Sequence, residues 1–364
     1  LDVTVVDESE APVAGAIVQI KGVPASQSVT DKAGRVSVAF FGRESAFAQG
    51  VCAAKEGYFN AETVRFSSDP IEPVTVMLLR ADLEDHPEYR WNHPAKDHDP
   101  DDAMACATCH TWHYDEWRSS RHARSADNGL VRHEALRMRR LDPSAPDDCT
   151  GCHSPGRASE DPAEGYRPRG MRAANHCDFC HKISHVTDLR QSGVFGALAL
   201  ARPDPDALRR PGGIHHVFGT APDATYAYMG AVYNRLFASS HLCAACHQGG
   251  GRWRDGLPPK IDTFEEWRRW AIAEAAANRQ VKSCQDCHMA GGTTVDLEGE
   301  PVDQIAWDAL HRDPAAVHSH RFLGREPGFA AAALDLQIEK ARGDDGRWRV
   351  RVSLTNTGAG HRIP

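Results

Sequence analysis

Ten of the eleven cysteines in this 364-residue chain fall into five copies of one pattern, Cys-x-x-Cys-His. The copies are Cys106/Cys109/His110, Cys149/Cys152/His153, Cys177/Cys180/His181, Cys243/Cys246/His247 and Cys284/Cys287/His288. Two thiols separated by two residues can add to the two vinyl groups of one porphyrin, and the imidazole that follows reaches the iron as proximal ligand. A zinc knuckle, a disulfide or a thioredoxin-like redox pair also uses Cys-x-x-Cys. None of these demands His directly after the second cysteine, five times over. The spacing therefore predicts five covalently bound c-type haems, each with one of these histidines on its iron. Such attachment takes place on the outer side of the cytoplasmic membrane, which predicts a periplasmic or extracellular protein.

The elements that carry these motifs look too polar to fold alone. Between Asp82 and His181 only Leu83, Leu130, Val131, Leu136, Leu141 and Phe179 are Leu, Ile, Val or Phe. By composition that stretch would be disordered. It holds three attachment motifs, so porphyrin faces are expected to replace aliphatic side chains as the core, wrapped by short helices and loops. The spacing predicts helices over 262–278, with Thr263 and Glu266 as a capping box, and over 112–125 and 226–241. Pro and Gly clusters mark loops around 155–170 and 203–213.

Residues 1 to about 80 alternate apolar and polar positions in LDVTVV, AGAIVQI, GRVSVAF and PVTVMLL, the pattern of an antiparallel β-sandwich. Through Pro12-Val13-Ala14-Gly15-Ala16, Thr30-Asp31-Lys32-Ala33-Gly34-Arg35 and Glu56-Gly57-Tyr58 the segment resembles carboxypeptidase regulatory-like (transthyretin-like) domains. That resemblance implies a non-catalytic spacer, docking or anchoring module. Cys52 belongs to none of the motifs and is expected to be a buried, inert thiol. Asp97, Asp99, Asp101 and Asp102 crowd together before the first motif, as a calcium site or as a solvated linker. At the other end, LDLQIEK and WRVRVSLTN flank a Gly-Asp-Asp-Gly turn and read as a hairpin. A lone hairpin is marginal, so it either packs on the haem region or belongs to a longer β-domain. The expected fold is multi-domain. A β-sandwich over 1–81 precedes a mainly α and irregular pentahaem domain over 82–328, and a β-hairpin or partial β-domain over 329–364 follows.

The run CATCHTWHYDEWRSSRHA, with Trp117 and His122-Ala123 following His110, resembles the tetrahaem cytochrome c family of the hydroxylamine-oxidation pathway and its larger multihaem relatives. CTGCHSPG, HCDFCHKISH and SSHLCAACH follow in similar contexts, and CQDCHM, HSHRFLG and NTGAGHRIP resemble longer members of the same broad group. The resemblance implies that His122, His185, His241, His320 and His361 are distal axial ligands, each able to serve a haem other than the nearest in sequence. His318 rivals His320, and His215, His216, His93 and His98 are reserves. For each one, a propionate partner or a surface residue is the alternative. Met289 follows a proximal histidine directly and lies on the wrong side of that iron to be its sixth ligand.

The net charge of −8 argues against nucleic acid and anionic membranes as partners. No run approaches the roughly 18 apolar residues of a membrane-spanning helix, and any export leader is expected upstream of Leu1 or removed. Two functions compete. Five bis-imidazole haems in a short span suit an electron-transfer protein, with redox proteins or an external acceptor as partners and self-assembly into a filament as a further expectation. A multihaem oxidoreductase acting on a small nitrogen or sulfur compound instead needs one open iron. Tyr226, Tyr228, Tyr233 and Arg235 would line its pocket or simply pack against haem. No attachment motif ends in Lys, the variant that marks the catalytic haem of pentahaem nitrite reductases. A scaffold role for the β segments, with the haems as wiring, is a third reading.

Overall fold

The computed structural model describes residues 1–39, 49–65, 72–92, 94–95, 105–141, 149–156, 174–186, 198–208, 214–225, 229–250, 260–290, 317–324 and 326–362. The N-terminal part contains β1 (Asp2–Asp7), β2 (Ile17–Ile20), β3 (Val23–Val29), β4 (Arg35–Ser37), β5 (Gln49–Ala54), β6 (Ala61–Arg65) and β7 (Val74–Leu78). Val3 and Val5 of β1, and Val74, Val76 and Leu78 of β7, point inward with the two-residue period of half-buried strands. The strands form two sheets, ordered β4-β1-β7 and β3-β2-β5-β6. Both contribute to one apolar cluster, in which Val3, Val5, Val76 and Leu78 meet Val18, Ile20, Val51 and Ala53. Cys52 is fully buried in β5, and burial raises its thiol pKa far above the ordinary value.

One pairing departs from the antiparallel expectation. Strands β1 and β7 run parallel, with Val3 opposite Val74. The chain changes sheet between β6 and β7, so no hairpin fixes the direction in which β7 meets the free edge of β1. The turn before β4 needs its glycine. Gly34 has φ +71°, and an added Cβ would lie 2.5 Å from the Val5 carbonyl oxygen.

The middle of the chain is made of short pieces: α1 (Cys106–Cys109), α2 (Thr111–Ser119), α3 (Gly129–Leu141), α4 (Thr150–His153), α5 (Cys177–Cys180), β8 (Ile183–Val186), β9 (Leu198–Leu200), α6 (Pro205–Leu208), β10 (His215–Gly219), β11 (Met229–Tyr233), α7 (His241–His247), β12 (Gly249–Gly250), β13 (Lys260–Ile261), α8 (Thr263–Ala276) and α9 (Cys284–His288). Every attachment motif coincides with one of the short helices α1, α4, α5, α7 and α9, where a three-residue step keeps both cysteines on one side. Among the described residues the apolar clusters here are small and separate, such as Tyr89, Trp91, Phe179 and Ile183, or Ala201, Phe218 and Val232. Polar bonds tie the motifs together instead. Asn175 Nδ2 donates to Ser125 Oγ and to the Cys152 carbonyl, while its own carbonyl accepts Trp117 Nε1–H at 2.7 Å.

Three helix expectations need correction. The helix expected over 112–125 stops at Ser119, where the Ser120 N–H turns back to the Trp117 carbonyl. The helix expected over 226–241 is instead β11, a single tight turn at Arg235–Ala238, and the start of α7. Strand β11 pairs in parallel with β10 and docks on the N-terminal sheets, a long-range contact that overrides local propensity. For α8 the N-cap is Asp262, not Thr263. Glu266 is not free to close a capping box because its carboxylate accepts the Arg362 N–H at 2.9 Å. A capping box does form at Ser283 and Asp286, at the start of α9.

The N-terminal sheets are joined to the middle by buried polar contacts. Asp223 is fully buried and accepts from Gln19 Nε2 and the Gly22 N–H, both at 3.0 Å. Asn60 donates its N–H to Ala231 at 2.8 Å and accepts the Tyr233 N–H on its side chain. After α10 (Pro327–Ala333), β14 (Leu334–Arg342) and β15 (Trp348–Asn356) form the expected antiparallel hairpin. Its register puts Leu336, Ile338, Trp348, Val350, Val352 and Leu354 on one face, and all six are more than half exposed. No described helix is long and apolar enough to cross a membrane.

Candidate haem-binding sites

Three pairs of imidazoles from distant parts of the sequence stand at a distance that one metal would bridge. Two rings bound to the same metal at about 2 Å have their centroids roughly 6 Å apart. His122 lies 6.3 Å from His247, His181 lies 6.4 Å from His320, and His288 lies 5.9 Å from His361. Each pair joins the histidine of one attachment motif to a histidine far away in sequence.

The ring nitrogens are arranged to suit. His181 Nδ1 is 2.6 Å from the Phe218 carbonyl and His288 Nδ1 is 2.5 Å from the Leu323 carbonyl. Across the gaps, His320 Nδ1 faces the His318 carbonyl at 3.2 Å and His361 Nδ1 the Arg362 carbonyl at 2.7 Å. A carbonyl can only accept, so the proton sits on Nδ1 and the Nε2 lone pair is left for a metal. Burial lowers the pKa of His122 to about 4, with the charges of His247, His153 and His288 adding to the effect. Burial also lowers His181, His247 and His320, keeping these rings in the neutral form that can ligate. His122 Nδ1 is enclosed without a hydrogen-bond partner among the described residues. The donor set, and the tautomers of His181, His288, His320 and His361, fit haem iron.

The thiols add a second pattern. Cys177 raises the thiol pKa of Cys106, Cys284 that of Cys243 and Cys152 that of Cys246, which places the two members of each couple side by side. These contacts join motif one to motif three, four to five, and four to two. Burial raises the Cys180 thiol pKa to about 12, and Cys180 raises those of Cys243 and Cys246 in turn. The side chain of Cys109 lies outside the described set.

The remaining expected ligands are less clearly placed. His185 and His241 are exposed, with Nδ1 near Ser184 Oγ and Ser239 Oγ respectively, and neither ring faces a proximal imidazole among the described residues. His318 turns its Nδ1 to the Met289 carbonyl at 3.3 Å, so His320 is the one opposite His181. His216 is buried with Nε2 on the Ala201 carbonyl, and His215 lies 3.5 Å from the Tyr89 hydroxyl. His93, His98, Asp97, Asp99, Asp101, Asp102, Tyr226 and Tyr228 lie outside the described residues. Arg235 is a surface residue beside Glu56.

Two groups escaped the reading of the sequence. His113 lies 6.2 Å from His110 and 4.5 Å from His320, and Glu116 is buried beside both His113 and His320. Their three-residue spacing on α2, which places them on one helix face, was the available signal. Next to the third motif, Lys182 and Asp178 form a buried ion pair at 2.7 Å. Burial pushes the Asp178 carboxyl up. The Lys182 charge, its hydrogen bond and the Asn92 N–H outweigh this and hold it below the ordinary range.

Attachment motifs on five short helices, with imidazoles facing one another across open gaps, define a multihaem c-type cytochrome. Residues 105–182 match the family model described as cytochrome c554 and c-prime, a stretch that contains the first three motifs. The match supports a c-type cytochrome that carries haem iron and transfers electrons to and from redox partners. No curated protein matches the chain.

Proposed function

We propose that the protein is an exported electron carrier that holds five haems through its ten motif cysteines, with His122/His247, His181/His320 and His288/His361 as axial ligand pairs. The observation that carries this reading is the three imidazole pairs about 6 Å apart. Bound haem would supply irons that cycle between two oxidation states with little rearrangement when both axial ligands are imidazole. The chain holds the His181, His320, His288 and His361 rings by Nδ1, and burial keeps the His122, His247, His181 and His320 rings neutral. The thiol couples support a grouping in which the first attachment site lies beside the third, and the fourth beside both the second and the fifth. In this reading 1–81 is an accessory β-sandwich, 82–328 the haem-binding domain and 329–364 a β segment that contributes His361.

A second reading keeps its place because of one observation. Among the described residues His153 has no facing imidazole, and His110 faces only His113, three residues further on. An iron held there with an open face would suit an oxidoreductase of a small nitrogen or sulfur compound. Low-temperature EPR of the oxidised holoprotein, followed by carbon monoxide addition to the reduced form, separates the two. Five low-spin irons that ignore carbon monoxide support the carrier. A high-spin iron that binds it moves the oxidoreductase ahead.

A further inference from the structure

We infer that Glu116 is a positioning residue that fixes His320 opposite His181 and sets a negative charge beside that imidazole pair. The inference rests on the His181/His320 pairing proposed above.

Glu116 is 4 % exposed and sits on α2, one turn beyond the first attachment motif. Its two oxygens are taken by consecutive residues from more than 200 positions away. Oε2 accepts the His320 backbone N–H at 2.8 Å and Oε1 accepts the Ser319 hydroxyl at 3.0 Å. His113 Nδ1 at 3.9 Å and Arg321 Nε at 3.7 Å are the charged or titratable neighbours. A carboxylate gripped by a main-chain donor and the side-chain donor next to it fixes both the position and the rotation of that segment. Among the described residues the segment is also tied to α9, by the Ser319 N–H and His318 Nδ1 to the Met289 carbonyl and by Leu323 to His288, but those contacts leave the Ser319 hydroxyl and the His320 N–H to Glu116. Burying a carboxylate is costly unless the group is needed there. Here it couples α2, which follows the first motif, to the distal imidazole facing the third. A fixed anion next to an axial imidazole stabilises the more positive, oxidised iron.

The test compares holoprotein variants by EPR, by spectroelectrochemical titration and by haem count. Glu116→Gln keeps the shape and removes the charge, so one midpoint potential is expected to rise while the other four stay. Glu116→Ala removes both anchors, so one haem is expected to become partly high-spin and to bind carbon monoxide. Should Glu116→Ala lose haem, Ser319→Ala removes a single donor and is expected to move one set of low-spin g-values. Five-haem variants whose potentials and g-values all match the parent would overturn the inference. His320→Ala separates this from the pairing itself. If it leaves every iron low-spin, the pairing falls. If it frees one iron while the Glu116 variants match the parent, the pairing stands and the role of Glu116 falls.

Discussion

The backbone of Phe218 grips His181 from both directions, its carbonyl taking Nδ1 at 2.6 Å and its N–H donating to the His181 carbonyl at 3.0 Å. Leu323 does the same to His288, at 2.5 Å for the ring and 2.8 Å for the main chain. A ring held in this way has a fixed tautomer and a fixed plane, and hydrogen-bonding partners of this kind tune a metal through its ligand. Phe218 lies on β10, β10 pairs with β11, and β11 docks on Asn60 and Phe59 of the N-terminal sheets. The N-terminal region therefore braces a proximal imidazole rather than hanging beside the haem region as a tether.

Gly230 is where that brace can be loosened. A Cβ there would run into the Phe59 ring and Ile214. Gly230→Ala is expected to cost about 1–3 kcal/mol through overpacking and to shift the EPR signal of a single haem. A lower melting temperature with all five signals unchanged would show that the junction stabilises the fold without reaching His181.

The Lys182–Asp178 pair gives a larger effect. Asp178 also accepts the Tyr89 hydroxyl at 2.9 Å and the Asn92 N–H at 2.8 Å. Asp178→Ala leaves a buried ammonium without its counter-charge and is expected to cost about 3–5 kcal/mol. Adding Lys182→Met should recover part of that loss in a denaturant titration. No recovery would mean that the Tyr89 and Asn92 bonds, not the charge pair, carry the effect.

Acid should weaken this region. Burial, and next the Lys182 charge, lower the pKa of His216 from 6.5 to about 4. Between those values the unfolded chain binds the proton and the fold does not. The stability present above pH 6.5 is therefore lost as pH falls toward 4, by at most about 3 kcal/mol. His216→Gln, which keeps a donor for the Ala201 carbonyl, is expected to flatten the pH dependence of the melting temperature between pH 4 and 6.5. An unchanged slope would assign the acid sensitivity between pH 4 and 6.5 to other groups.

Among the described residues nothing covers the apolar face of the C-terminal hairpin. Leu354 is 64 % and Trp348 68 % exposed, and a contiguous exposed apolar face favours association. The double substitution Val352→Lys with Leu354→Lys, on that face, should reduce concentration-dependent association in light scattering and leave the haem spectra as they are. Scattering that stays the same would mean that the face is not sticky in solution.

Much of this was legible in the residues themselves. Cys-x-x-Cys-His is a local pattern, and the helical turn that carries each copy is local too. The hairpin shows in its alternation and its turn, and His122, His320 and His361, singled out in the sequence, lie opposite the imidazoles of His247, His181 and His288. What the sequence hides is long-range. Residues 229–233 look helical until β10 offers an edge and Asn60 a partner. Thr263 looks like a cap until Arg362 returns to claim Glu266. Nothing local marks Phe218 or Leu323, because a backbone carbonyl has no side chain to read.

The three thiol contacts between motifs bear on how the protein must be made. Cys106 and Cys177, Cys152 and Cys246, and Cys243 and Cys284 lie side by side in the folded chain, so a two-electron oxidant could link the members of a couple as a disulfide. One such cross-link would remove a cysteine from each of two attachment sites at once. A reductant present during cofactor loading would keep that loss reversible.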